Sequence, residues 1–434
     1  MTENDDFIVK NRHRRIEDVA LQIAGRKDLD SSYVLRQIEG WQRMAHKVPK
    51  WAETEGIIYP PRLALEQCSG QAAADYKAET VKRLLKDGER HRMADITAGM
   101  GVDFCAIAPL FEGTVYVERK AEIVETARHN LPLMGVDNAE FIEGDGLETL
   151  KDLKEHLDLL FIDPARRDPH GGKTVLIEDC EPDIAAHLDL LLERSRLTMV
   201  KLSPMLDIHR AVATLERKRK GCVKEVHVTA TGGECKELLL VLGQGGNCGG
   251  QDGNCGGQDG NSGEQGGNNR EPRIFCREEG LTFAFNMSEE AAENCTFTAE
   301  TEAFLYEPGP GVMKAGAFKT VARRYGLRKL HANSHLYTSQ TAVEGFPGRA
   351  FQIIERYGFS KNDLKRLSQL LKSEAGGQDK GQPAAHLAVR NFPASVAELR
   401  SRLKIREGGQ VYLFATTLAD GAKNIIACRK ITGN

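Results

Sequence analysis

An α/β protein built on an open, mostly parallel sheet follows from three features of this 434-residue chain. Apolar strands that end in an acid alternate with helical runs between residues 92 and 202, the pattern of consecutive βαβ units. The run 157–162, LDLLFI, is apolar almost throughout, as a parallel strand covered on both faces must be. Residues 93–103, MADITAGMGVD, carry a strand into a helix through the turn Gly99-Met100-Gly101.

That turn is the most informative stretch. Glycines let the backbone pass close to a ligand and adopt angles that a Cβ forbids, and the following helix start offers unpaired N–H groups. A dinucleotide fingerprint needs a third glycine three residues after Gly101, where this chain has Phe104. Asp95, four residues before the first glycine, and Asp103, two after the second, suit instead a ligand with a cationic amino-acid group, with Thr97 inside the same turn. The next strand, TVYVE, ends at Glu118, seventeen residues after Gly101. An acid there can accept hydrogen bonds from both ribose hydroxyls. A helical run stopped by Gly135 follows, then a strand leading to Asp145, then LDLLFIDPARRD, which ends at Asp163-Pro164. LTMVKLSP supplies a further strand, and EVHVTA with KELLLVLG a closing antiparallel pair.

Four acid-tipped strands in this order, with the glycine turn after the first, resemble the Rossmann-like class I methyltransferases. The resemblance implies S-adenosylmethionine as cofactor, bound by Asp95, Thr97, Gly99, Gly101, Asp103, Glu118 and Asp145, the last beside the adenine ring. Asp163-Pro164-Ala165-Arg166 is similar to the (N/D/S)PP(Y/F/W) loop of enzymes that methylate base amines, where the side chain and a backbone carbonyl accept the amine's hydrogens. Here Ala165 replaces the second proline and Arg166 the aromatic that stacks on a flipped base, although a guanidinium can itself stack on a base. DPxR also resembles the carbon-5 uridine methyltransferases, but Cys180, Cys222 and Cys235 lack that family's proline-flanked nucleophile setting. Asp163 and Pro164 are the catalytic candidates. Arg166, Arg167 and Lys201 are candidates for substrate contact, against readings as a solvated arginine pair and a surface lysine.

The rest of the chain sets bounds. No run of eighteen apolar residues exists, so no membrane span is expected. The charged start MTENDDFIVKNRHRR lacks a signal-peptide core, and a cytoplasmic protein is expected. Ten cysteines without a CxxC pair argue against a zinc ribbon, and no metal is expected. Cys68, Cys105, Cys180, Cys222, Cys235 and Cys428 read as small buried hydrophobes. NCGGQDG at 247–253 repeats at 254–260 and decays at 261–267. With no apolar surface to offset chain entropy, 244–270 reads as a disordered linker.

The expected domains are a helical region over 1–88, the methyltransferase sheet over 89–243, the linker, and two small α/β pieces over 271–342 and 343–434. In the first, 34–44 has helical periodicity with Ser31 or Ser32 as N-cap, and one or two more helices run to Gly88. Glu66, Gln67 and Lys77 read as helix-surface residues that could reach the site. Toward the C-terminus, 360–373 is an amphipathic run with Ser360 as N-cap, 395–405 reads as a helix with Ser395 as N-cap, and 410–418 and 423–430 form a hairpin over Ala419-Asp420-Gly421.

Charge is uneven. Residues 314–434 hold 21 Lys and Arg against 8 Asp and Glu, a net +13, which leaves −16 for the first 313 residues. Aromatics (Phe318, Tyr325, Tyr337) interleave with the bases, as in surfaces that hold phosphates and stack bases. With EQCSGQAAADYKA, DITAGMGVD, DPARRD, KLSPMLD, TGGECKELL, YEPGPGVMKAGAF and FPASVAELRSRLKIREGGQVYLFATT, the chain resembles a bacterial class I methyltransferase family with C-terminal ferredoxin-like and THUMP-like domains. That likeness implies methylation of an RNA base, in tRNA or rRNA, gripped through 314–434. Two alternatives stay open: a methyltransferase for a protein or small molecule with the C-terminal half as a partner interface, and a non-catalytic RNA-binding protein.

Overall fold

The computed structural model describes residues 2–166, 176–244, 271–374 and 382–431. The expected linker lies almost wholly outside the described residues. The chain divides into two compact units, 1–224 with 239–270, and 225–238 with 271–434.

The first unit opens with helices α1 (Glu3–Asn11), α2 (Ile16–Ile23), α3 (Ser31–Lys47), α4 (Pro49–Glu53), α5 (Arg62–Gln67) and α6 (Gln71–Leu84). The N-cap of α3 is Asp30, not Ser31 or Ser32. Its carboxylate accepts the Tyr33 N–H at 3.0 Å, which turns both serines into first-turn residues. The alternating part follows as β1 (Arg92–Asp95), α7 (Val102–Ile107), β2 (Gly113–Glu118), α8 (Ala121–Leu133), β3 (Ala139–Glu143), α9 (Gly146–Asp152), β4 (Leu157–Ile162), the two-residue strands β5 (Ala165–Arg166) and β6 (Cys180–Glu181), α10 (Leu188–Arg194), β7 (Ser195–Leu202) and α11 (Ile208–Lys218). The sheet order is β7-β4-β1-β2-β3, with every pairing parallel. In such a sheet the strand ends where chain direction reverses order leave a crevice at the carboxyl edge. Asp95, Glu118 and Asp163 lie at that edge.

The helical region is not an appendage. Trp51, Tyr59, Phe104, Met93 and Leu131 share one core. The extended stretch near 58 is fastened by two buried amides: Gln37 exchanges hydrogen bonds with Tyr59 at 3.0 and 2.7 Å, and Asn130 of α8 exchanges them with Ile58 at 2.7 and 2.9 Å. Each amide supplies the donor and acceptor that a neighbouring strand would offer. This clamp fixes where α5 and α6 begin.

The second unit takes up the chain within β8 (Val223–Thr231) and β9 (Glu234–Gly243) and adds β10 (Arg273–Glu278) and β11 (Leu281–Asn286), with order β11-β10-β8-β9. Then come α12 (Met287–Ala292), β12 (Phe304–Pro308), α13 (Pro310–Ala315), α14 (Phe318–Arg324), β13 (Arg328–Lys329), β14 (Tyr337–Ser339), β15 (Gly348–Gly358), α15 (Lys361–Glu374), β16 (His386–Arg390), α16 (Val396–Leu403), β17 (Val411–Thr417) and β18 (Lys423–Lys430). From β12 onward the two expected α/β pieces share one sheet, β13-β14-β12-β15-β18-β17-β16, because β12 pairs antiparallel with β15, while β10 and β11 lie in the sheet with β8. Ser360 bonds the Asp363 N–H and Ser395 closes a capping box with Glu398. Among the expected buried cysteines, Cys105, Cys180, Cys222 and Cys428 are buried, while Cys68 and Cys235 are partly exposed.

Helix α9 starts against the end of β1, and Gly146 makes this possible. A Cβ there would lie 2.1 Å from the Ile96 carbonyl oxygen, whereas a Cβ on Gly144 would meet nothing closer than 3.5 Å. Gly146→Ala is therefore expected to destabilise the protein by about 1–3 kcal/mol, the usual cost of forcing an extra carbon into a packed interior. Gly144→Ala should change stability by less than ~0.5 kcal/mol. Urea unfolding of the two variants checks this, and equal midpoints would contradict it.

Candidate functional site

The carboxyl ends of β1, β2 and β4 are laced together by short polar contacts. Asp95, nearly inaccessible, accepts the Thr97 N–H at 3.0 Å, and Thr97 Oγ1 accepts the Asp163 N–H at 2.6 Å. Glu118 cups the glycine turn: Oε2 accepts the Gly99 N–H at 3.1 Å and Oε1 the Lys120 N–H at 3.0 Å. Tyr116 donates to the Gly99 carbonyl. The two glycines do different work. Gly101 has φ +88° and its missing Cβ would press on Leu131 and Tyr116, so it is held by packing. Gly99 has φ +54° and nothing but its own turn near the Cβ position, which leaves that side open to a ligand.

Behind the turn lies a cluster of buried charge. Lys77 is fully inaccessible and donates to Asp103 Oδ1 at 3.0 Å and to Ser69 Oγ at 3.1 Å. Ser69 donates to Asp103 Oδ2 at 2.6 Å. Lys201, 8% exposed, bonds Asp163 Oδ2 at 2.6 Å and lies 3.6 Å from Asp103 Oδ2. Burial pushes the Asp95 carboxyl well above the usual carboxylate range, helped by its neighbours Asp103 and Asp163. Burial also raises Asp163, with the Lys201 ammonium pulling the other way. For Asp103 burial is outweighed by Lys77, Lys201 and the Ser69 hydroxyl together, and its carboxyl falls below the usual range.

The structure thus brings Asp95, Thr97, Gly99, Gly101, Asp103, Glu118, Asp163, Pro164 and Lys201 to one edge of the first unit's sheet. Lys201 is not a surface lysine, and neither is Lys77. Glu66 and Gln67 are exposed, and Glu66 is held by Arg62 at 2.7 Å. Asp145 caps α9 through the Leu147 and Glu148 N–H groups and is bridged by Arg119 at 2.6 Å, so both its oxygens are engaged. Burial raises its carboxyl, but the Glu148 N–H and Arg119 outweigh it and the net direction is down. The Arg166 side chain and all of Arg167 lie outside the described residues. Ser69 escaped sequence reasoning altogether. Lys77 had a signal: it falls three residues after Ala74 and four before Val81, inside the buried stripe of α6.

Among the described residues no group of three or more His, Cys, Asp or Glu side chains could hold a metal ion, and no helix is long and apolar enough to cross a membrane. Strand order, glycine turn and acid-lined edge together define a class I methyltransferase fold. Comparison with known proteins agrees. A ferredoxin-like domain family matches residues 304–347 and a THUMP domain-like family residues 348–430. A solved structure named "putative methyltransferase from Porphyromonas gingivalis W83" is similar over 99% of both chains, with 34% identity and a TM-score of 0.78. The chain belongs to the family of that Porphyromonas gingivalis protein. An "uncharacterized RNA methyltransferase" of Caldanaerobacter subterraneus subsp. tengcongensis is 33% identical over 104 residues, 24% of this chain and 23% of that protein. Another from Clostridium tetani is 30% identical over 124 residues, 26% of this chain and 27% of that one. The match spans about a quarter of the length of these two curated relatives.

Lys77→Met leaves the Asp103 carboxylate buried without its nearest cation, a change that costs about 3–5 kcal/mol in comparable buried pairs. Removing both charges, Lys77→Met with Asp103→Asn, is expected to cost clearly less than the two single changes summed. Urea unfolding of the four proteins measures this, and strict additivity would contradict it.

Proposed function

We propose that this chain is an S-adenosylmethionine-dependent methyltransferase that modifies an RNA base in tRNA or rRNA. The observation that carries the reading is the shared carboxyl edge of β1, β2 and β4, where Asp95, Glu118 and Asp163 surround an open glycine turn. The residues suit the cofactor. Gly99 leaves room for it, and Glu118, held against the glycine turn at the end of β2, is a carboxylate of the kind that accepts hydrogen bonds from ribose hydroxyls. In this reading Asp95, Thr97, Gly99, Gly101, Asp103, Glu118 and Asp145 contact the cofactor, Asp163 and Pro164 serve the reaction, and Arg166, Arg167 and Lys201 face the substrate. The domain scheme is a helical region (1–88), the catalytic sheet (89–243), a linker (244–270), a ferredoxin-like domain (271–342) and a THUMP-like domain (343–434). The location is the cytoplasm.

S-adenosylmethionine, when bound, supplies a methyl group activated by positive sulfur, which keeps the electron pair of the broken bond. Asp163 orients the acceptor atom in line with that carbon and takes the proton the acceptor loses as the new bond forms. Asp163→Asn is expected to slow transfer about 10²–10⁴-fold while the cofactor dissociation constant moves less than ~3-fold. Glu118→Gln should weaken cofactor binding by about 1–3 kcal/mol. Calorimetry and tritiated-methyl transfer separate the two effects, and an Asp163→Asn enzyme of full activity would overturn the assignment.

The RNA part rests on the THUMP domain-like match and on the names of the two curated relatives. One observation favours the protein or small-molecule alternative. The +13 of 314–434 is offset inside the same unit, because 271–313 carry nine Glu against two Arg. Arg323, Arg324, Arg328, Arg349 and Arg390 pair with Glu293, Glu289, Glu302 and Glu307. Salt dependence decides between them. RNA affinity falling as a power of salt, with a slope of about −0.7 or steeper per phosphate contact, and loss of one methylated nucleoside in cells lacking the gene support RNA. Salt-insensitive or absent RNA binding with an unchanged nucleoside profile supports the alternative.

A further inference from the structure

Strands β4 and β7 pair in parallel with Ile162 opposite Val200. The residues one step on therefore stand side by side, Asp163 just past the end of β4 and Lys201 still within β7. We propose that Lys201 is a positioning residue that clamps the Asp163 carboxylate by Oδ2 and leaves Oδ1 as its one acceptor face. The role in transfer rests on the reading of Asp163 as proton acceptor given above.

Three observations point to a directed clamp. Lys201 reaches Asp163 Oδ2 at 2.6 Å, while Oδ1 has no hydrogen-bond partner among the described residues. The Asp163 side chain keeps 35% of its surface exposed, whereas those of Lys77, Asp103 and Lys201 keep 11% or less. The clamp is itself fixed from behind: Lys201 lies 3.6 Å from Asp103 Oδ2, and Asp103 is held by Lys77 and Ser69. Among the described residues, the charged groups facing Asp163 are Lys201 of β7, Asp103 of α7, Lys77 of α6 and Asp95 of β1. Asp103 and Asp95 disfavour its ionised form, and Lys201 is the near cation that favours it. One Asp163 oxygen is committed to Lys201, and the other is left to accept a proton. The Lys77–Asp103 pair ties this rim geometry to the helical region, so α6 acts on the reaction without touching an acceptor.

The test reads Asp163 directly, in the full chain with carbon-13 at the aspartate carboxyls, the Asp163 resonance being the one lost in Asp163→Asn. In Lys201→Met the Asp163 midpoint should rise by about 1–3 pH units, and Lys201→Arg should bring it back toward wild type. In single-turnover transfer to RNA, the acid limb of the rate profile should move the same way, with cofactor affinity changed less than ~3-fold. If Lys201→Met does not fold, Lys201→Gln carries the comparison. An Asp163 midpoint that does not move overturns the clamp, whatever the enzyme does with RNA. A midpoint that moves in a protein that transfers nothing to RNA upholds the clamp and removes the RNA reading instead.

Discussion

Charge held out of water is the constraint on which the first unit turns. Taking an ammonium or a carboxylate into a protein interior costs several kcal/mol per ion unless partners replace the lost water. Lys77 and Asp103 meet that demand with a 3.0 Å contact completed by Ser69, and Lys201 extends the chain of contacts to Asp163. The arrangement works only if α6, α7, β4 and β7 are all in register. It therefore ties together elements more than a hundred residues apart in sequence. The buried Gln37 and Asn130 amides serve the same end by fixing the chain that leads into α5 and α6.

A consequence is that the helical region belongs to the site. Ser69 and Lys77 supply a hydroxyl and a cation to Asp103 of α7, which sits beside the acids at the strand ends. The catalytic candidate is then the point where a buried network surfaces, with Asp163 at the end of a fixed row of charges rather than alone in a loop. The glycine turn has a similar economy of parts. Gly101 is spoken for by Leu131 and Tyr116, so Gly99 and its neighbours form the open wall.

Much of this was legible in the sequence, and for identifiable reasons. Acid-tipped strands, β4 above all, and the Gly99–Gly101 turn are local patterns set by burial on both faces and by backbone angles. What escaped was non-local. Ser69 is an ordinary hydroxyl until Asp103 is placed beside it. Lys77 reads as a surface residue unless its place in the apolar stripe of α6 outweighs its charge. The N-cap of α3 is Asp30 rather than Ser31 or Ser32 because its carboxylate accepts the Tyr33 N–H. Asp145 turned out to be a helix cap bridged to Arg119, a duty that strand-end position cannot reveal. The basic character of 314–434 was real in one dimension but folds against the glutamates of 289–307.

The central claim is that the edge formed by Asp95, Gly99, Glu118 and Asp163 is a pocket for a sulfonium donor. Isothermal titration of the full chain with S-adenosylmethionine, and separately with S-adenosylhomocysteine, addresses it most directly. The account predicts saturable one-to-one binding of both, abolished or weakened by Glu118→Gln. Absence of heat with either compound, in protein shown to be folded, would contradict it.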